Sequence, residues 1–385
     1  MKTLNELFRR IDWVNSTFLV LTPIIAFAGV AYLYQHQMIH VNTIWLALFY
    51  LVATGIAITG GYHRLFAHKS YEASTFVKIV LLAFGAAAFQ NSARKWSSDH
   101  RNHHKYVDTN QDPYNIQKGF WWAHMGWVML YSATEHKQDN VGDLEKDFWI
   151  IFQEKYYVRI GIFMSFVLPT AIAALWGNPL GGLFVAGFLR IVLNHHFTFS
   201  INSFCHMIGS RPYSDRDSSR DNWFLALVTY GEGYHNFHHK FPTDYRNGIK
   251  FYHWDPTKWM IKLFSKVGLA HSLRQMSDDK ILAARLRMDE KKLLKKIEKR
   301  LPFGFHMPPE LIIGAREKFE QAYVRFTELK AEYERVKTEQ MANANERYEK
   351  IKQDLAHARE SLSQATTAWS NLCQSFGVKP TRISA

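Results

Sequence analysis

The sequence predicts an all-α integral membrane protein with four transmembrane helices, a cytosolic helical cap and a C-terminal helical tail. Three observations lead to this class. Two long stretches contain almost no charged residues, histidines cluster in the segments that follow them, and the composition changes from about residue 278. Among the 385 residues, 47% are hydrophobic and 15% aromatic, which excludes a wholly disordered chain. The net charge is +13, and two cysteines are too few for a disulfide framework or an iron–sulfur cluster.

The first charge-free stretch contains no Asp, Glu, Lys or Arg from Trp13 to His63. A helix that crosses a membrane needs about 20 apolar residues, so the stretch has room for two such helices. We predict transmembrane helices at about 17–35 and 43–61, on either side of a short polar break. The long apolar region followed directly by a second one is not typical of a cleavable signal peptide.

The second stretch runs from Ile160 to Ser210, and its only charged residue is Arg190. Glycine, asparagine and proline residues in its middle are typical of a turn. We therefore predict a second helical hairpin, with transmembrane helices at about 159–176 and 182–204.

Basic residues set the expected orientation of the two hairpins. Lys and Arg residues precede and follow the first hairpin, whereas the two short hairpin turns contain neither. Because loops rich in Lys and Arg stay in the cytoplasm, both termini and the polar middle of the chain should be cytoplasmic. A third apolar run, Phe76 to Phe89, is too short to cross a membrane. It is expected to lie on the membrane or to pack against the hairpins.

Histidines concentrate on the predicted cytoplasmic side of the membrane helices. The windows 63–68, 100–104 and 235–239 contain eight of the 19 histidines. The second and third windows share the pattern H-x-x-H-H, which can aim three imidazoles from one helix face at one point. The two histidines of the first window are five residues apart and need a distorted helix to converge. The eight are His63, His68, His100, His103, His104, His235, His238 and His239.

These histidines predict a metal centre. Neutral imidazole binds Fe, Cu, Zn and Ni, and eight imidazoles exceed the ligand set of one ion, so two ions are expected. The residues alone leave iron, zinc and copper open. Asn202 and His206 lie four apart at the end of the fourth predicted helix, where His206 could be a ninth ligand and Asn202 could hold a metal-bound water. Asp99, Asp108 and Glu232 are candidate acceptors for the other ring N–H groups of the ligands.

The motifs resemble those of the membrane acyl-CoA desaturases of the stearoyl-CoA (delta-9) type. The resemblance rests on H-R-L-F-A-H at His63, H-R-N-H-H-K at His100, N-S-x-x-H at Asn202 and G-E-G-Y-H-N-F-H-H at Gly231, and it covers about residues 10–270. It implies four transmembrane helices beneath a cytosolic cap that carries a histidine-rich di-iron site. Nine histidines and a water held by Asn202 would bind the two irons.

The resemblance also implies how ligands and substrate are arranged. One iron would draw on His63, His68, His103 and others, and the remaining ligands would be His100, His104, His206, His235, His238 and His239. The acyl chain would lie in a narrow bent tunnel, with Asn91, Trp96 and Asp99 near its head group. Ser98 departs from the Arg that animal members carry at this position. The acyl carrier is therefore left open between coenzyme A, acyl carrier protein and a phospholipid.

The implied activity is O2-dependent insertion of a cis double bond, of delta-9 type, into a saturated acyl chain. No catalytic side chain beyond the metal centre is expected. Alternatives are a membrane hydroxylase acting on fatty acids or alkanes at the same kind of centre, and a histidine-rich metal transporter or sensor. Transport needs polar residues along the spanning helices, whereas these histidines lie at the helix ends.

The expected partners are lipid and a redox protein, and no nucleic acid. The sequence shows no haem-binding segment, no dinucleotide fingerprint and no cysteine cluster, so a separate electron donor is expected, a ferredoxin or a b-type cytochrome with its reductase. This donor should be acidic, because the cytoplasmic face is basic. Without an evident organelle-targeting segment or fused cytochrome, a bacterial inner membrane is the first expectation and the endoplasmic reticulum the second.

The predicted domains are a membrane desaturase domain at 1–275, a basic linker at 276–310 and a helical, coiled-coil-like tail at 311–375. Apolar residues of the tail step by three and four, as in a heptad seam. The register slips near Gln340, which leaves open either a continuous seam or an antiparallel hairpin that turns around Met341. The tail is expected to mediate self-association, to dock a redox partner, or to be a packing accessory without a separate role.

Overall fold

A computed structural model of the protein describes residues 8–131, 138–299, 307–338 and 345–381. The chain forms two compact units. The first unit contains Met1–Ser210 and Arg216–Gln275, and the second contains Arg211–Asp215 and Met276–Ala385. Within the described residues both units consist almost entirely of helices, so the predicted all-α class is confirmed.

Within the described residues, four helical segments of the first unit are long and apolar enough to cross a membrane. These spanning segments are Trp13–Gln35, Val41–Ala67, Phe148–Ala174 and Pro179–His206, with mean hydropathies from 1.3 to 1.9. They overlap the four predicted transmembrane helices. The structure extends the second segment to Ala67 and begins the third at Phe148, because helical backbone continues past the apolar stretch on the side of the histidines.

The helices of the first unit are α1 (Trp13–Gln35), α2 (Val41–Ile56), α3 (Thr75–Ala87), α4 (Ala93–Tyr106), α5 (Trp127–Met129), α6 (Phe148–Ile162), α7 (Leu168–Ala174), α8 (Pro179–Gly181), α9 (Arg190–Ser203), α10 (Trp223–Val228), α11 (His235–Lys240) and α12 (Pro256–Lys266). π-Helical segments occur at Ala57–Ala67, Trp122–Gly126, Phe163–Val167 and Gly182–Leu189, and 3-10 turns at Ile116–Lys118, Leu144–Lys146 and Phe204–His206. Strand β1 (Glu72–Ala73) pairs antiparallel with β2 (Ala270–His271), with Glu72 opposite His271.

Polar side chains cap the helices that lead into the site. Asp12 begins α1 by accepting a hydrogen bond from the backbone N–H of Asn15 at 3.0 Å. Ser74 and Ser92 cap α3 and α4 in the same way. Such caps satisfy backbone donors that the first helical turn leaves unpaired, each stabilising its helix by about 1 kcal/mol. The beginning of α4, which carries the second histidine window, is therefore set by its own sequence.

The short apolar run after the first hairpin forms α3, which is 13 residues long. It packs against the spanning segments, and the predicted packing is thus observed. Val77, Leu81 and Leu82 are buried in the core of the first unit. Gly85 lies so close to the Tyr62 ring that a β-carbon there would come within 2.3 Å of it, which explains a glycine inside the helix.

The second unit contains α13 (Asp278–Glu298), α14 (Pro309–Thr338) and α15 (Asn345–Ser375). The segment predicted as a linker therefore includes a 21-residue helix. The Tyr333 and Tyr348 hydroxyls lie 2.8 Å apart, so α14 and α15 run side by side in opposite directions. This is the hairpin alternative, although the turn predicted around Met341 lies outside the described residues. The core includes Leu286, Leu293, Phe319, Leu362 and Trp369.

Candidate metal centre

The first histidine window lies in a π-helix, at the place where a distortion was predicted. Residues Ala57–Ala67 form 11 residues of π-helix at the end of the second spanning segment. The backbone N–H of His68 donates to the carbonyl of His63 at 3.0 Å, a bond that spans five residues. The hydrogen bonds of a π-helix span five residues, which brings side chains five apart close to one face. Their ring centres are 4.8 Å apart.

Helix α4 supplies the second window, α11 the third, and the 3-10 turn after α9 supplies His206. The nine predicted histidines form two groups, and within each group the candidate ligand atoms lie within 4.8 Å of one another. The first group is His63, His68, His100, His104 and His238. The second group is His103, His206, His235 and His239. The structure thus brings together all nine, from four parts of the chain.

This partition corrects two expectations. His103 belongs to the second group rather than with His63, and His100, His104 and His238 belong to the first. Neither H-x-x-H-H window aims its three imidazoles at one point. In the α4 window, His100 and His104 face the first group and His103 faces the second. The reason is that consecutive helical residues such as His103 and His104 project about 100° apart. The α11 window is divided in the same manner.

The ring nitrogens have the spacing of ligands around one ion. The Nε2 atoms of His68 and His100 are 2.8 Å apart, and those of His104 and His238 are 2.9 Å apart. In the second group, the Nε2 atoms of His206 and His235 are separated by 3.1 Å. Two nitrogens bound at right angles to one ion, each at about 2.1 Å, lie about 3.0 Å apart. The geometry of both groups therefore fits a metal ion.

The protonation state of the histidines fits as well. Burial, together with the charges of neighbouring histidines, holds the pKa of His68, His100 and His104 well below the ordinary value. The same causes lower the pKa of His235 and His239. These imidazoles are neutral at pH 7 and present lone pairs, which is the form that binds a metal.

Carboxylates orient one ligand in each group. The Nδ1–H of His63 donates to Glu232 Oε2 at 2.9 Å, as the sequence suggested for Glu232. The Nδ1–H of His103 donates to Asp112 Oδ1 at 2.9 Å. Both carboxylates are buried. Such a bond leaves Nε2 as the free lone pair and fixes the ring orientation.

The other predicted carboxylates act differently. Asp108 acts indirectly, because it accepts from the Ser218 hydroxyl, which in turn accepts from His206 Nδ1 at 2.7 Å. Asp99 forms an ion pair with Lys95 at 2.7 Å. Sequence reasoning missed Asp112 and Ser218, and no local pattern marks either residue, since their contacts depend on the path of the loop after α4.

A buried charge network surrounds Glu232. Arg64 is 1% exposed and donates to Glu232 Oε1 at 2.9 Å. It also pairs with Asp255 at 3.0 Å. Asn247 donates to the second oxygen of Glu232 at 2.6 Å. A buried charge needs such partners, and removal of one typically costs about 3–5 kcal/mol. The network holds Glu232 in place beside His63.

A mostly apolar cavity of about 440 Å³ reaches the histidines. His63, His100 and His235 line it, as does Asn202, the predicted holder of a bound water. The three residues predicted to lie near a substrate head group, Asn91, Trp96 and Asp99, line the same cavity. Ligand pockets of this kind measure about 300–1,000 Å³ and are lined by apolar side chains with a few polar groups. The arrangement can place an apolar chain directly beside the histidine groups.

The wall of this cavity bends after α3. Phe89 and Asn91 both have left-handed backbone, with φ of 51° and 72°. The ring N–H of His195 donates to the carbonyl of Ala88 at 2.8 Å, and the Tyr157 hydroxyl accepts from the backbone N–H of Asn91 at 3.0 Å. Left-handed conformations are strained in residues other than glycine and persist where surrounding contacts hold them. These bonds therefore fix the bend that shapes the cavity.

Comparison with known proteins identifies the family. A fatty acid desaturase family model matches residues 43–271. Acyl-CoA desaturase 1 of Saccharomyces cerevisiae is 42% identical over 296 residues, which are 76% of this chain and 58% of that protein. A probable acyl-CoA desaturase of Schizosaccharomyces pombe is 39% identical over 84% of this chain and 67% of its own length. Stearoyl-CoA desaturase 4 of Mus musculus is 35% identical over 70% of this chain and 78% of its own length.

These relatives come from two yeasts and a mouse, so they give no support to the expected bacterial inner membrane. The chain spans less than two thirds of the S. cerevisiae relative. The family model covers the membrane segments from the second onward together with all three histidine windows. The match extends over more than half of the chain, and the chain belongs to the fatty acid desaturase family.

Proposed function

We propose that the protein is a fatty acyl desaturase that inserts a cis double bond, at the delta-9 position, into a saturated acyl chain. One observation carries the proposal: a single apolar cavity is lined both by candidate head-group residues and by candidate metal ligands. The reaction removes two hydrogens from adjacent methylene groups. With two electrons and two protons from a donor, O2 is reduced to two molecules of water.

Two iron ions are the proposed cofactor, one held by each histidine group. When bound, they would supply the O2-dependent oxidation of unactivated C–H bonds, which no side chain can perform. The chain's own residues position the groups. Glu232 and Asp112 would fix the orientation of their histidines, Asn202 would hold a water, and the apolar walls would keep the acyl chain dry and in one register. Nothing in this reaction needs a side chain as general base.

The proposed substrate is an acyl-CoA. The support is that the relatives are named acyl-CoA or stearoyl-CoA desaturases. Ser98, the position at which the sequence departs from the family pattern, is buried and donates to Asn140 Oδ1 at 2.7 Å. Asn91, Trp96 and Asp99 remain the proposed head-group contacts. Product analysis with acyl-CoA, acyl-acyl carrier protein and phospholipid as separate substrates would show which acyl carrier the protein uses.

The proposed setting is the endoplasmic reticulum membrane, with both termini in the cytoplasm. It is supported by the eukaryotic relatives and by the distribution of basic residues. The proposed electron donor is a separate acidic protein, a b-type cytochrome with its reductase or a ferredoxin. The net charge of +13 supports an acidic partner. The helices of the second unit are proposed to mediate self-association or to receive this donor.

Expression in a host that lacks its own delta-9 desaturase tests the activity. We expect new monounsaturated fatty acids in the total lipid, with the double bond located by mass spectrometry. His238→Ala should abolish them without removing the protein from membranes. His271→Ala is the matched control, because His271 is an exposed histidine that pairs with Glu72 outside the metal centre.

Each outcome has a definite meaning. Full activity of His238→Ala would discard the site assignment. A product that retains an oxygen atom would favour the hydroxylase alternative. Metal uptake by the cells without any change in fatty acids would favour the transporter. The proposal is supported if wild type and His271→Ala desaturate equally and His238→Ala gives no unsaturated product.

A further inference from the structure

An exposed aromatic surface lies outside the four spanning segments. It is built from two short helices, α10 and α12, and from the loop that precedes α12. We call it the aromatic face. Its members are between 41% and 87% exposed and are Trp223, Phe224, Phe251, Tyr252, Trp259 and Leu263. Exposed apolar patches of this kind are rare on soluble surfaces and mark contact sites.

Helix α12 shows the pattern most clearly. Its exposed positions, Trp259, Lys262, Leu263 and Lys266, are spaced by three and four residues and form one stripe. Ile261 on the other side is fully buried in the core of the first unit. A stripe of Trp and Leu flanked by Lys is typical of a helix that lies in a membrane interface, where lysines extend their ammonium groups to the lipid head groups.

The aromatic face is continuous with the second spanning segment. The Tyr230 hydroxyl, just after α10, donates to the carbonyl of Leu51 at 3.0 Å. At the start of α12, the hydroxyls of Thr257 and Thr59 lie 2.7 Å apart. Both Leu51 and Thr59 belong to the apolar segment Val41–Ala67. Helices α10 and α12 therefore flank the wall of a helix that crosses the membrane.

The aromatic face also adjoins the end of the fourth spanning segment. Met207 and Ile208 follow that segment directly and are about half exposed, at 48% and 53%. Ser210 then pairs with Asp221, with N–O distances of 3.0 and 2.7 Å. This pairing places the beginning of α10 beside the end of the spanning segment. Exposed apolar side chains therefore lie both at the end of this spanning segment and at the start of the adjoining α10.

We propose that the aromatic face is embedded in the membrane leaflet on the side of the metal centre. Indole and phenol rings favour this depth, and lipid is the occupant that continuity with two spanning segments requires. The third histidine window, on α11, lies between α10 and α12 along the chain. Both elements that flank this window therefore rest on lipid, which adds a membrane anchor beyond the four spanning helices.

Spin labels on single cysteines test the proposal without reference to activity. The native cysteines, Cys205 and Cys373, are fully buried, so an introduced surface cysteine can be labelled selectively. We would label Phe224→Cys and Leu263→Cys in the full chain, in nanodiscs of phosphatidylcholine and phosphatidylglycerol. Accessibility to O2, which concentrates in lipid, is then compared with accessibility to a water-soluble nickel chelate.

Two labelled controls calibrate the scale. Ile24→Cys is at an exposed position of the spanning helix α1, whereas Asn110→Cys is in an exposed polar turn after α4. We expect the Phe224 and Leu263 labels to give O2-to-nickel ratios nearer to Ile24 than to Asn110. Ratios equal to that of Asn110 would overturn the proposal. Spin–spin broadening that disappears on dilution with unlabelled protein would also overturn it, because a second copy of the chain would then cover the face.

Discussion

Asp112→Asn should weaken the metal affinity of the second histidine group by about 10–100-fold, or about 1.4–2.7 kcal/mol. The Asp112 carboxylate is 1% exposed and accepts from His103 Nδ1 at 2.9 Å. It also accepts from the backbone N–H groups of Tyr114 and Asp108, at 3.2 and 3.1 Å. Asparagine keeps the size and one acceptor oxygen but removes the charge. The main loss is therefore the basicity and orientation of His103, with a smaller cost from one unpaired backbone donor.

The assay is metal retention. Purified protein is equilibrated with increasing chelator, and ions per chain are counted by mass spectrometry. Wild type should release its ions only at a higher chelator concentration than Asp112→Asn. The variant should lose one ion at a low chelator concentration and keep the other. Glu232→Gln should show the same behaviour for the first group. Asp99→Asn is the matched control, because Asp99 pairs with Lys95 although it adjoins a histidine in sequence.

Two results would refute this reasoning. One is retention by Asp112→Asn equal to that of wild type at every chelator concentration. The other is an equal loss in Asp99→Asn, which would mean that any nearby negative charge, rather than the hydrogen bond to His103, supports the ion. Loss of both ions at once from Asp112→Asn would show instead that the two groups form a single coupled site.

Three further changes have defined outcomes. Arg101 holds the pKa of Asp143 well below its ordinary value. This ion pair therefore stabilises the fold above about pH 4, and the stabilisation is lost as the pH falls. In Asp143→Asn, the unfolding temperature measured at several pH values should fall less steeply towards acid pH than in wild type. His195→Leu should broaden the distribution of double-bond positions, because it removes the hydrogen-bond donor that holds the bend in the cavity wall. His195→Gln, which keeps a donor, should preserve the distribution. His196→Leu, at an exposed position of the same helix, is the control and should also preserve it. Trp369 is fully buried, and Trp369→Ala should destabilise the second unit by about 3–5 kcal/mol, seen as faster proteolysis there than in wild type.

The membrane helices and the identity of the clustered histidines could be predicted for a local reason. In lipid, backbone groups must pair inside the protein, and a continuous apolar run of about 20 residues has the length and pattern of a spanning helix rather than of a barrel strand. The five-residue spacing of His63 and His68 likewise indicated a distorted helix, because it does not match 3.6 residues per turn. Both expectations depend only on residues close together in the chain.

The arrangement of the two tail helices could not be predicted from local sequence. The apolar steps of α14 and α15 are compatible with one long seam or with two helices side by side, since both bury the same positions. The contact between Tyr333 and Tyr348 selects the hairpin. Whether this hairpin forms a coiled coil with another chain stays a prediction.

By itself the sequence determined which side chains are available, namely nine imidazoles in three histidine windows and at His206. Only the tertiary structure decided how they divide into two groups, which carboxylate orients each group, and that Arg64 is buried among its partners. The reason is distance along the chain. His63 and His238 meet at 3.0 Å although 175 residues separate them. Periodicity gives the direction of a side chain relative to its own helix, whereas coordination depends on how several helix axes are rotated against one another.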